Sequence, residues 1–167
     1  MTRHVLGWHT LRRAGIALLV VAGTVLPLGL GQGGGKKSDV EVKASVKAEQ
    51  PGADGKQTLN LTLTINKGWH IYANPVGNED FAPNATVVTV KPKPRAIEVV
   101  YPSGKLKKDS IAGESVEYRI YEDRVTIPIQ IQRAAGDTSA LELNVRINVC
   151  NDKGRCLPTS TIKVAVK

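Results

Sequence analysis

The stretch Asn148–Pro158, NVCNDKGRCLP, holds the chain's two cysteines, Cys150 and Cys156, with five residues between them. Such a pair can serve as a structural staple, a metal clip or a reversible dithiol–disulfide couple. The intervening NDKGR reads as a turn, with Gly154 free to take a positive φ. A hairpin of this size brings the two Cα atoms within bridging distance, so a disulfide forms easily. As a staple it is worth little: the closed loop has seven residues, and chain entropy gives about 2.4 kcal/mol at most. Lys153 and Arg155 flank the pair, and cationic neighbours favour a thiolate. A metal clip is short of donors. His70 is the one histidine after residue 31, and a Cys-Cys-His set lacks the usual fourth ligand.

These cysteines must be held by strands. Leu59, Leu61, Leu63 and Ile65 alternate with polar residues, as do Val40, Val42, Ala44, Val46 and Ala48. Val125–Ile131 and Leu141–Val149 repeat the pattern. Alternation with period two marks half-buried strands. Shorter runs at His70–Ala73, Thr86–Lys91, Ala96–Tyr101, Glu117–Tyr121 and Thr161–Val166 raise the count, and turn signals such as PGADG, NKG, PSGK and AAGD separate them. No stretch has helical period. About eight or nine strands with short turns predict an all-β fold, an immunoglobulin-like antiparallel β-sandwich. Pro92 and Pro94 mark an edge or a strand break. The core-facing set of Leu141–Val149 sits at odd positions, so Cys150 is out of phase and its thiol is expected to point away from the core.

The N-terminus carries Arg3, Arg12 and Arg13, no acidic residue before Asp39, and an apolar run from Ile16 to Leu30 broken by Gly23, Pro27 and Gly29. This predicts a signal peptide over residues 1–31, cleaved near Gly31–Gln32, with an uncleaved N-terminal anchor as the alternative. Residues 32–38 (QGGGKKS) read as a flexible linker. Residues 39–167 are then one exported domain, in a compartment where cysteines oxidise. The whole chain has a net charge of +8, and loss of three arginines with the signal leaves +5. The basic residues are dispersed and aromatics are few, which argues against nucleic-acid binding.

Two further stretches sharpen the reading. ESVEYRIYEDRVTIPIQI (Glu114–Ile131) precedes the cysteine hairpin, and NKGWHIYAN (Asn66–Asn74) lies upstream. In this order, with VCNDKGRCLP, they resemble the N-terminal periplasmic domain of the thiol:disulfide interchange protein DsbD. The resemblance covers most of residues 38–167. It implies an immunoglobulin-like sandwich in which Cys150 and Cys156 cycle between dithiol and disulfide, with Cys156 forming the intermolecular bond. It implies thioredoxin-like redox proteins as partners, a separate membrane electron carrier as the source of electrons, and no small-molecule cofactor. The expectation it carries is a thiol–disulfide exchange component of the periplasm, of the protein-disulfide reductase kind. The competing class is a non-catalytic β-sandwich interaction module with a structural disulfide.

The resemblance also places a shielding cap loop at Lys108–Gly113, with Asp109, Ser110 and Ile111 over the cysteines. Ile111 stands where the family has an aromatic, and Leu157 replaces the aromatic after the second cysteine. Tyr72 is expected to orient or shield the site, with Trp69 a core or sheet-surface aromatic. His70 is a candidate proton donor, although a surface histidine is the commoner reading. Asn78-Glu79-Asp80 reads as a solvated turn. The family's multi-helix membrane domain and thioredoxin-like domain, and any Cys-x-x-Cys, are missing from the sequence, so a stand-alone module is expected.

Overall fold

The computed structural model describes residues 35–111 and 113–166. The expected signal peptide and the first part of the linker lie outside them. Alternation becomes structure directly. β2 (Lys56–Ile65) and β8 (Arg124–Gln132) pair antiparallel, with Leu59 opposite Ile129, Leu61 opposite Ile127 and Leu63 opposite Val125. β1 (Val42–Ala48) flanks β2, and β5 (Ala96–Val99) flanks β8, giving a sheet of order β1-β2-β8-β5. A second sheet runs β10-β3-β7-β6, built from Val149–Asn151, Trp69–Tyr72, Glu114–Glu122 and Lys105–Ile111. A third runs β11-β9-β4, from Ser160–Val166, Leu141–Ile147 and Val87–Lys91.

The apolar faces meet in one core. Leu59, Leu61, Leu63, Ile127 and Ile129 from the first sheet join Ile71, Tyr121 and Val149 from the second and Leu143, Val145 and Ile147 from the third. Each fully buried aliphatic side chain contributes about 1.5–3 kcal/mol. The arrangement is the expected antiparallel sandwich of immunoglobulin-like kind. Pro92 and Pro94 fall in the break between β4 and β5.

Eleven strands are present among the described residues, against eight or nine expected. Two differences account for the excess. Lys105–Ile111, mostly polar and not expected as a strand, forms β6 and pairs along its whole length with β7. The run Leu141–Val149, read as one strand, is divided at Asn148. β9 pairs with β4 and β11, whereas β10 pairs with β3. The chain changes sheet at Asn148 and carries Cys150 into the second sheet.

Candidate functional site

β10 is an edge strand, and its three residues pair as Val149–Ile71, Cys150–His70 and Asn151–Trp69. Side chains alternate across a sheet, so Val149 and Ile71 enter the core while Cys150 and His70 project from the opposite face. Tyr72, two residues on, and its partner Ile120 share that face. So does Tyr118, two residues before Ile120 on β7, with Lys107 and Asp109 opposite Tyr118 and Val116 on β6. The strand phase therefore holds, and Cys150 points away from the main core.

It is nevertheless buried, at 3% exposure. A second apolar cluster covers this face, formed by Tyr72, Val76, Tyr118, Ile120 and Cys150 with Phe81 and Val116 packed on it. Phe81 comes from a short 3-10 turn, Glu79–Asn84, which Asn78 caps by accepting the Asp80 N–H at 3.0 Å. Its ring stacks on Tyr72 at 5.5 Å and lies 4.7 Å from Tyr118. The turn read as a solvated acidic cluster thus presents an aromatic lid. The Tyr72 hydroxyl stands 3.6 Å from Cys150 Sγ.

Cys150 and Cys156 form a disulfide and also face each other as an isolated antiparallel bridge. The loop between them is ordered by Asn151, whose Oδ1 accepts the N–H groups of Lys153 at 3.1 Å and Arg155 at 2.9 Å. Gly154 takes a φ of 77°, as the turn requires. The side chains of Lys153 and Arg155 are exposed. Cys156 is exposed as well, so one sulfur-bearing residue faces solvent and the other the aromatic cluster.

The base of the hairpin is tied by buried polar groups. Leu157, 4% exposed, returns its N–H to the Val149 carbonyl at 2.8 Å. Ser38, assigned to the linker by composition, is fully buried in a 3-10 turn (Ser38–Glu41). Its hydroxyl accepts the Val149 N–H at 3.0 Å and reaches the Leu157 carbonyl at 3.4 Å. Asn148 Nδ2 donates to the same carbonyl at 3.0 Å and to Thr159 Oγ1 at 3.2 Å.

His70 is not a surface residue. It is 2% exposed, and neither ring nitrogen has a hydrogen-bond partner among the described residues. Its Nδ1 is 3.8 Å from Asp152 Oδ1, which Lys107 Nζ contacts at 3.1 Å. Burial, with Lys107 close by, pushes the imidazole below its usual range, against the opposing pull of Asp152, Glu122 and Asp109. Burial raises Tyr72 and takes Tyr118 up to about 12, so both phenols stay protonated.

The segment expected as a cap loop, Lys108–Gly113, is strand for most of its length. Lys108–Ile111 lie in β6, paired with β7 up to Ile111–Glu114. Asp109 and Ser110 are exposed, and Asp109 accepts the Tyr118 hydroxyl at 3.3 Å. A β-strand here has a physical cause: it gives Glu114–Glu122 a hydrogen-bonding partner along its outer edge, and Gly113, at a φ of 87°, suits a tight return into that strand. Phe81, Tyr118, Ser38, Asn148 and Asn151 were not singled out in the sequence. Only Tyr118 had a signal, its period-two spacing with Ile120.

Fold and site together define an antiparallel β-sandwich with a half-covered disulfide hairpin on one sheet edge. The family described as thiol:disulfide interchange protein DsbD, N-terminal, matches residues 39–167, and the chain belongs to that family. Among solved structures, the N-terminal periplasmic domain of ScsB from Proteus mirabilis is similar at a TM-score of 0.57 and 16% identity, over 75% of this chain. The match spans 46% of the ScsB chain, and at that identity it bears on fold alone. The DsbD N-terminal domain of Neisseria meningitidis in its reduced form matches at 0.46 and 16%, over 73% of this chain and 83% of its own. A complex of the DsbD and PilB N-terminal domains from the same organism matches at 0.46 and 14%, over 73% and 80%. No curated protein matches the sequence. No helix among the described residues is long and apolar enough to cross a membrane.

Proposed function

We propose that this chain is an exported thiol–disulfide exchange module of the periplasm, working through protein partners. The observation that carries the reading is the asymmetry of the pair. Cys156 is exposed on the hairpin, and Cys150 is sealed beneath Tyr72, Phe81 and Tyr118. Attack on a disulfide needs an accessible thiolate and a second thiol to resolve the mixed disulfide. Cys156, with Lys153 and Arg155 beside it, suits the first role, and Cys150 the second. The aromatic cluster and Leu157 shield the bond from small oxidants and reductants. His70 supplies an uncharged floor beside Cys150. Thioredoxin-like proteins are the partners, and a separate membrane carrier supplies electrons.

A purely structural disulfide would gain more by linking distant strands than by closing a seven-residue hairpin already held by Leu157, Ser38 and Asn148. The test is trapping. Cys150→Ser leaves Cys156 unable to be resolved, and it should accumulate a mixed disulfide with an oxidised thioredoxin-fold protein. Cys156→Ser should not. No adduct with Cys150→Ser, or equal adducts with both variants, overturns the reading.

A further inference from the structure

Asn148 sits where the chain passes from β9 to β10, and only 9% of it is exposed. The Leu157 carbonyl can only accept, so the amide group facing it at 3.0 Å must be Nδ2. Oδ1 then points the other way, and it stands 3.6 Å from Cys150 Sγ. In the disulfide, Sγ carries no hydrogen. Two acceptors therefore face each other in a buried place, and the Asn148 oxygen gains nothing from the contact. The Tyr72 hydroxyl also stands 3.6 Å from this sulfur, and it can only give its proton to sulfur there. Reduction changes the balance. A Cys150 thiol has one S–H to donate and a lone pair to accept with, and the two groups match both needs.

We propose that Asn148 is a positioning residue that selects the protonated, reduced state of Cys150 through a hydrogen bond made only in the dithiol. This rests on the exchange reading above. A partner dithiol reduces the pair: the Cys150–Cys156 bond breaks, a sulfur–sulfur bond forms in the partner, and two electrons and two protons pass to this chain. One proton resides on Cys150 Sγ and is donated to Asn148 Oδ1, while Tyr72 donates to the same sulfur. The other belongs to Cys156, which loses it to solvent when it attacks. A carbonyl oxygen facing a sulfur repels a thiolate, so Cys150 stays neutral until it resolves the mixed disulfide, and the exposed Cys156 is the sulfur that attacks the partner first. The amide thereby sets which sulfur reacts first and stabilises the reduced module.

The experiment compares the equilibrium constant for reduction of the disulfide by dithiothreitol in the wild-type chain and in Asn148→Ala. Loss of the redox-linked hydrogen bond should make the variant about 3–10-fold harder to reduce. A merely structural Asn148, tying the hairpin through Leu157 and Thr159, gives the opposite sign, because loosening the hairpin disfavours the disulfide. A variant that is equally or more easily reduced overturns the proposal. A spectroscopic reading, independent of Asn148→Ala, follows the S–H stretch of reduced Cys156→Ser by infrared. The Cys150 band should lie below that of a free thiol; a band at the free-thiol position also overturns the proposal. If neither sulfur exchanges with a protein partner while these results hold, the exchange reading fails and the Asn148 bond stands.

Discussion

Replacing Phe81 with alanine should open the face over Cys150 without touching either cysteine. Phe81 contributes two aromatic contacts, to Tyr72 at 5.5 Å and to Tyr118 at 4.7 Å. Such pairs are worth about 0.5–1.5 kcal/mol each beyond the area they bury. Phe81 is only half-buried, so the lower part of the summed range, about 1–2 kcal/mol, is the expected loss. If Cys150 becomes reachable when this cover lifts, the open fraction rises by roughly 5–30-fold. The assay is alkylation of the reduced protein by iodoacetamide, with each cysteine quantified by mass spectrometry. Cys150 should react about 5–30-fold faster in Phe81→Ala, a factor set by the lost cover. Cys156, already exposed, should keep its rate and serve as the internal control. An unchanged Cys150 rate would refute the idea that Phe81 is the lid. Equal acceleration of both cysteines would mean general loosening, and refute it equally.

Two further perturbations test the supports. Ser38→Ala leaves the buried Val149 N–H without its acceptor, which should cost about 1–3 kcal/mol in urea unfolding. A change within a few tenths would show that the N-terminal turn does not brace the hairpin. His70 should make stability pH-dependent. Its folded value is lowered, so the unfolded chain binds the proton more readily, and stability falls as pH drops below about 6.5 toward the lower folded value. His70→Phe should flatten the wild-type slope in that window, read from unfolding midpoints; an unchanged slope would contradict the buried, neutral imidazole.

Most of the sandwich was legible because a half-buried strand writes its face into every second residue. β1, β2, β8 and β9 carry that signal without interruption. β6 does not. Lys105, Lys107 and Asp109 occupy the face that bears the site, so its polarity gave no strand signal. Pairing with β7, rather than hydrophobicity, makes it a strand. The division at Asn148 was hidden for a different reason. Val149 keeps the alternation, but the chain changes partners there, and sheet membership is a long-range property that no local pattern records. The cysteines were found by type and spacing, and Tyr72 through the family resemblance. Phe81 and Ser38 were missed because they act across the fold: Phe81 reaches Tyr118, and Ser38 reaches Val149.

The central claim is that Cys150–Cys156 is a working couple, and its reduction potential tests that most directly. Equilibration of the full chain with defined thiol–disulfide buffers should give a value above about −300 mV, within reach of exchange with thioredoxin-like partners. A value well below about −300 mV would mark a bond that partners do not reduce, and would make the hairpin a structural staple.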